Sequence, residues 1–171
     1  MAWSMNSWAP TVLRSAKGLS LGQTGLVMGL WGGAQMVGAI LFGALSDRLG
    51  RKTLILSTAY PAALATAGVY LFLSAPAALA LGFALLGLLR STLPTLVVAL
   101  AQDSAEPEAV ATASGIIMAM HYAAAVLTPL LTAQLLSAVG DIIWGMVVAT
   151  AVPLILYGSL VALVHEGRVR Q

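Results

Sequence analysis

Long apolar runs separated by short polar connections dominate the sequence. A transmembrane helix needs roughly 20 mainly apolar residues. Five windows meet this length, at residues 21–45, 53–73, 77–101, 109–138 and 142–164. Glycines and prolines interrupt the windows, which membrane helices tolerate when neighbouring helices satisfy the backbone. The pattern predicts an all-α fold, a polytopic transmembrane bundle of about five spans.

The first twenty residues differ from the five windows. Residues 1–13 are too few and too polar to cross a membrane, because Ser4, Asn6 and Ser7 lie among them. We therefore predict a single membrane domain over residues 1–171. In it, residues 1–20 are the external end of an incomplete helix, residues 21–164 form the five spans, and residues 165–171 form a cytoplasmic tail.

The composition supports a membrane protein and excludes several classes of function. Of the 171 residues, 60% are hydrophobic and 8% are charged, whereas a soluble domain is about 25% charged. A net charge of +2 is too small to indicate nucleic acid as a partner. The chain has no cysteine, and its sequence contains no phosphate-binding loop, metal cluster or nucleophile–base pair. We expect no enzymatic activity, no cofactor and no metal.

The basic residues predict the orientation in the membrane. Cytoplasmic connections carry an excess of Lys and Arg. One side of the predicted bundle has five, namely Arg48, Arg51, Lys52, Arg168 and Arg170, and the other side has two, Arg14 and Lys17. The N-terminus is therefore expected outside and the C-terminus in the cytoplasm, in a bacterial inner (plasma) membrane.

Small and aromatic residues give two further expectations. Small residues recur every four positions in two windows, which favours close packing of helices, although such residues are also simply common in membrane helices. The two stripes are Gly25, Gly29 and Gly33, and Ala111, Gly115, Ala119 and Ala123. We expect five large aromatic residues to lie at the membrane interface or to face lipid: Trp31, Trp144, Tyr60, Tyr70 and Tyr157.

The connection at residues 43–52 is the most charged part of the chain. It holds Gly43, Leu45, Asp47, Arg48, Gly50, Arg51 and Lys52, a spelling that resembles motif A of the major facilitator superfamily, G-x-L-x-D-R-x-G-R-K/R. The resemblance implies a cytoplasmic link between the second and third helices of a six-helix half, and the Asp47 carboxylate as part of a conformational switch. From the residues alone, Gly43 would admit a close helix, and Gly50 would allow an unusual backbone. The alternative is an ordinary positively charged hairpin.

The resemblance covers almost the whole chain, as the last five helices of one half. Residues 8–13 and 18–20 read W-x-P-T-x-L and G-L-S, which resembles the seventh helix of organic-anion members and favours the C-terminal half. A strong motif A is more typical of N-terminal halves. In those halves an Arg in the fourth helix begins R-x-x-x-G, but Pro94 follows Arg90 where that Gly would stand.

Arg90 is the strongest candidate for binding substrate. It interrupts the third window about 15 Å from the cytoplasmic end, at 1.5 Å per residue, so it lies near the middle of the membrane. A charge there is costly and marks function by default, and a guanidinium binds carboxylate or phosphate through its planar fork. The resemblance implies that this helix lines the central cavity. Snorkelling and a structural ion pair are the alternatives.

Three further polar residues lie inside the windows. His121 could bind substrate or relay protons, because histidine titrates near neutral pH, or it could simply bond to a neighbouring helix. Gln35 and Gln134 could face a substrate cavity or hold helices together. No Asp or Glu lies in the middle of a window.

The resemblance implies a secondary active transporter, or a fragment of one, that moves a small organic solute by alternating access. An organic anion suits Arg90. The alternatives are a drug or metabolite exporter, and a non-transporting scaffold derived from a truncated transporter. The expected partners are a small-molecule substrate, with protons as a candidate coupling ion, the lipid bilayer, and either a missing N-terminal half or a second copy of the chain.

Overall fold

A computed structural model describes residues 2–163, and they fold into seven α-helices. The predicted cytoplasmic tail, with Arg168 and Arg170, lies outside these residues. The helices are α1 (Ala2–Ser15), α2 (Leu21–Leu49), α3 (Arg51–Phe72), α4 (Pro76–Arg90), α5 (Thr92–Ser104), α6 (Val110–Val139) and α7 (Ile142–Leu163). A short 3₁₀ turn at Pro107–Ala109 precedes α6.

The five predicted spans are confirmed by the length and the apolar composition of the helices. Helices α2, α3 and α7 each make one span, α4 and α5 together make the span Pro76–Ser104, and α6 with its 3₁₀ turn makes another. Pro and Gly residues mark two of the helix ends. Helix α4 begins at Pro76, and the left-handed Gly140 ends α6, as expected of these residues at helix starts and ends.

The third span is broken at Ser91, between α4 and α5. Pro94 has no N–H to donate to the carbonyl of Arg90, four residues earlier, so the regular ladder is interrupted. The Ser91 N–H is shared between the carbonyls of Gly87 and Leu88, at 3.2 and 3.4 Å. The span has 29 residues, so 14 precede Arg90 and 14 follow it. Arg90 therefore lies at the centre of its span.

The helices pack in pairs. Helix α2 lies along α4, α3 lies along α7, and α1 fits between α6 and α7. The core includes Met5 and Val12 of α1, Phe83 of α4 and Leu154 of α7, all fully buried. By contrast, Thr132 is the one buried residue of α6. Helix α6 therefore presents most of its surface outside the bundle.

Glycines bring α2 and α4 together, but not the glycines of the predicted stripes. A Cβ on Gly87 would lie 2.5 Å from the Trp31 carbonyl oxygen, and one on Gly38 would lie 2.8 Å from the Leu88 carbonyl oxygen. A Cβ on any glycine of the two stripes (Gly25, Gly29, Gly33 and Gly115) would meet no atom of the described chain within 4 Å. The prediction of close packing along these stripes is therefore wrong within residues 2–163.

Candidate functional site

Arg90 is buried at the end of α4, inside the group of helices. Its side chain is 4% exposed, and its guanidinium carbon lies 6.0 Å from the centre of the Trp31 ring on α2. The close approach of α2 at Gly87, three residues earlier, brings Trp31 to this position. Arg90 lies at the centre of its span, and its side chain does not reach the surface of the bundle. Its place at the middle of the membrane stays a prediction.

The Arg90 guanidinium has no hydrogen-bond partner within residues 2–163. Its Nε, Nη1 and Nη2 atoms are all buried and all unsatisfied. The ion pair found among these residues joins Arg51 to Asp103, so a structural ion pair does not account for Arg90 either. An uncompensated charge in an apolar interior is costly. The group is therefore disposed to bind an anion, with up to five N–H donors in a planar fork.

Buried aromatic rings surround this part of α4. Trp31 and Tyr70 are 2% and 1% exposed, and both contact Phe83 edge to face, with centroids 6.3 and 5.9 Å apart. The expectation that Trp31 and Tyr70 lie at the interface or face lipid is therefore wrong. Tyr60 and Trp144 are exposed, as expected of lipid-facing or interfacial residues.

Asn6 joins this group through Trp31. The Trp31 indole Nε1–H donates to the Asn6 side-chain oxygen, at 3.0 Å. Asn6 is exposed on α1, and the sequence indicated only that it was too polar for a membrane span. Its partner lies 25 positions away, and only the packing of α1 on α2 identifies it.

The other predicted substrate residues lie apart from Arg90. His121 is half-buried on α6, where its ring contacts Trp3 of α1 at 5.7 Å and the adjacent Tyr122 at 5.8 Å. Gln134 is exposed on α6. Gln35 is half-buried on α2, one turn after Trp31. No hydrogen bond or ring contact within residues 2–163 joins any of the three to Arg90.

The motif at residues 43–52 is mostly helical, since α2 continues to Leu49 and only Gly50 separates it from α3. Gly50 has φ 87° and ψ 141°, so the predicted unusual backbone is confirmed. A Cβ on Gly43 would meet no described atom within 4 Å, so the close helix expected there is absent from this part of the chain. Asp47 and Arg48 are exposed.

The last two residues of the motif bind other helices. Arg51 pairs with Asp103 near the end of α5, with Nε and the carboxylate oxygen 2.5 Å apart. Lys52 donates to the Ala162 carbonyl at the end of α7, at 2.8 Å. The motif therefore connects α3 to α5 and α7. The sequence pattern left Asp103 between the third and fourth windows. A charged residue indicates the end of a span, but it does not show which residue pairs with it.

The opposite end of the bundle has its own basic residues. The Lys17 ammonium donates to the Tyr70 carbonyl near the end of α3, at 2.7 Å, and partial burial lowers the pKa of this amine. A cavity of about 490 Å³ lies nearby, lined by Pro10, Thr11, Arg14, Ser15 and Leu19. It contains none of the predicted substrate residues.

The described residues hold no group of three or more His, Cys, Asp or Glu side chains that could bind a metal ion. No curated protein and no solved structure matches the chain. The family described as Major Facilitator Superfamily matches residues 1–170, nearly the whole sequence. This match agrees with the five apolar spans and with the charged motif between α2 and α3. The chain therefore belongs to the major facilitator superfamily, a family of integral multi-pass membrane transporters rather than enzymes.

Proposed function

We propose that the chain is a secondary active transporter, or part of one, that moves a small organic anion by alternating access. One observation carries the proposal: Arg90 is 4% exposed at the centre of its span, and its three guanidinium nitrogens have no partner within residues 2–163. A carboxylate would supply both the missing charge and the missing acceptors. Binding would therefore offset the cost of burying the guanidinium charge.

The charges of the spans favour an anion over a cation. Every acidic residue between 2 and 163 lies at a helix end or in a connection, and none lies in the middle of a span: Asp47, Asp103, Glu106, Glu108 and Asp141. A pocket for cationic drugs would more often carry a carboxylate in the middle of the membrane, where Arg90 lies instead. This contrast makes the drug exporter the weaker alternative.

Protons are the coupling ion that we propose, with His121 as the residue that carries them. His121 is half-buried where α6 meets α1, and an imidazole can gain and lose a proton near neutral pH. Gln35 and Gln134 remain proposed substrate contacts. We expect an inward proton gradient to speed uptake, and we expect His121→Gln to remove the dependence of uptake on the gradient.

We also propose that the chain is the C-terminal half of an organic-anion member and works with a second bundle. The segments 8–13 and 18–20 support this assignment. Helices α2 and α6 carry exposed apolar residues, among them Met36, Ile40, Met120 and Val126, which are available to lipid or to that bundle. An N-terminal half or a second copy of this chain would fill the role, and crosslinking in membranes would distinguish them.

Uptake into proteoliposomes tests the proposal. Labelled mono-, di- and tricarboxylates are supplied one at a time to vesicles that contain the chain alone or with a co-expressed N-terminal half. We expect saturable uptake that Arg90→Ala lowers at least tenfold. Arg90→Lys should rescue it only in part, because lysine lacks the planar fork. The control Arg14→Gln removes an exposed arginine at the end of α1.

Two outcomes would count against the proposal. Equal uptake by the Arg90→Ala variant and the unchanged protein would remove Arg90 from the site. No uptake of any carboxylate, alone or with the second half, would favour the non-transporting scaffold.

A further inference from the structure

Trp31 connects three helices at the place where Arg90 is buried. Its indole N–H donates to Asn6 of α1, its ring faces the Arg90 guanidinium of α4, and its backbone belongs to α2. The side chain is 2% exposed. Among residues 2–163, Trp31 alone has a hydrogen bond or ring contact with both the exposed Asn6 amide and the buried guanidinium.

The ring gives the guanidinium a weak partner that an anion can replace. The face of an indole attracts a cation electrostatically, but the ring accepts no conventional hydrogen bond from Nε, Nη1 or Nη2 of Arg90, which all remain unsatisfied. A carboxylate would offer a full negative charge and two acceptor oxygens. Trp31 therefore contacts Arg90 but leaves the hydrogen-bond donors of its guanidinium without acceptors.

The position of the Trp31 ring depends on Asn6. An indole N–H only donates, so the amide oxygen of Asn6 must face it, and the amide nitrogen must point elsewhere. Because Asn6 is exposed, this hydrogen bond lies at the boundary between the surface of α1 and the buried ring. Without this hydrogen bond, we expect the ring to be held against Arg90 less tightly, by packing contacts alone, such as the one with Phe83.

We propose that Trp31 is the positioning residue of the Arg90 site. It holds and covers the guanidinium while no anion is bound, and the hydrogen bond to Asn6 keeps it there. This inference rests on the proposed anion-binding role of Arg90. It goes beyond that role because it says how access to the guanidinium is controlled, and it assigns the control to two residues outside the charged motif at residues 43–52.

Chemical modification tests this control without a known substrate. Phenylglyoxal reacts with guanidinium groups that it can reach, and peptide mass spectrometry gives its rate at each arginine of the full chain in membranes. We expect Arg90 to react slowly, and the exposed Arg48 to react fast. Asn6→Ala and Trp31→Phe should each speed the reaction at Arg90 at least threefold and leave the rate at Arg48 unchanged.

Two further variants distinguish control of access to Arg90 from a general destabilisation of the bundle. Asn6→Asp keeps an acceptor oxygen for the indole, so it should retain the slow rate. Ser7→Ala changes the neighbouring exposed residue of α1 and should also retain it. An unchanged Arg90 rate in Asn6→Ala and Trp31→Phe would overturn the proposal. So would a rise of equal size at Arg90 and Arg51, because Arg51 lies in another part of the bundle.

The modification experiment and the uptake experiment can fail independently of each other. If Arg90→Ala transports normally, the proposed function fails, whatever the modification rates are. If Arg90→Ala abolishes uptake while Asn6→Ala leaves the Arg90 rate unchanged, only the positioning role of Trp31 fails.

Discussion

Gly50 has a backbone conformation that restricts which residues can replace it. At φ 87° and ψ 141°, a side chain would be strained whatever space surrounds it, because residues with a Cβ rarely adopt positive φ. We expect Gly50→Ala to lower stability by about 1–3 kcal/mol, the usual cost of a sparsely populated backbone conformation. Thermal unfolding in detergent, followed by circular dichroism, would measure the loss.

Gly43 is the matched control for this substitution. It belongs to the same motif, but it is helical and a Cβ there would meet no described atom within 4 Å. Since alanine favours helix by up to about 1 kcal/mol over glycine, Gly43→Ala should keep or raise the melting temperature. Equal losses in the two variants would show that the backbone of Gly50 is not the cause.

The sequence predicted properties of single residues better than contacts between them. The burial of Arg90 follows from its position within an apolar run, and the backbone of Gly50 follows from the need to link two helices closely. The Asn6–Trp31 hydrogen bond and the Arg51–Asp103 pair join residues 25 and 52 positions apart. Such partners depend on which helices are neighbours, and a linear pattern does not contain that information.

At the scale of helices, the contact between α2 and α4 depends on Gly87. A Cβ there would lie 2.5 Å from the Trp31 carbonyl oxygen and 3.0 Å from the Ala34 Cβ, so α4 would have to move away from α2. We expect Gly87→Ala to cost about 1–3 kcal/mol, the range of overpacked cores. Gly29→Ala, on the open face of α2, should cost nothing. Comparing the melting temperatures of the two variants checks this, and similar values would contradict it.

The ion pair between α3 and α5 should contribute little. The Arg51 and Asp103 side chains are 27% and 40% exposed, and exposed pairs of this kind contribute about 0.2–1 kcal/mol because water and salt screen them. A double-mutant cycle with Arg51→Gln and Asp103→Asn should give a coupling energy in that range that falls as salt is added. A coupling energy of about 3 kcal/mol, insensitive to salt, would indicate a buried pair instead.

The helices themselves were predictable, whereas their contacts were not. Hydrophobicity along the chain is a local property, so it located the five spans. Which side of a helix meets a neighbour is a property of the assembled bundle. Glycines occur on several sides of α2, and Gly38 makes a close contact while Gly25 and Gly29 make none. Spacing alone could not distinguish them.

At the scale of the whole molecule, two contacts support the predicted alternation of the spans. Lys17, before α2, binds the carbonyl of Tyr70 near the end of α3, so these two segments lie at one end of the bundle. Arg51, at the start of α3, binds Asp103 near the end of α5, so these lie at the other end. From the number of Lys and Arg residues we predict that the Arg51 end faces the cytoplasm.

Single cysteines would test this orientation cleanly, because the chain has none of its own. Ser74 and Ser137 are exposed at the end expected outside, and Ser104 is exposed at the other end. Each serine is replaced by cysteine, and intact cells are treated with a maleimide that does not cross membranes. We expect labelling of Ser74→Cys and Ser137→Cys at once, and of Ser104→Cys only after permeabilisation. The reverse pattern would place residues 46–52 outside, and the excess of Arg and Lys there would then not set the orientation of this chain.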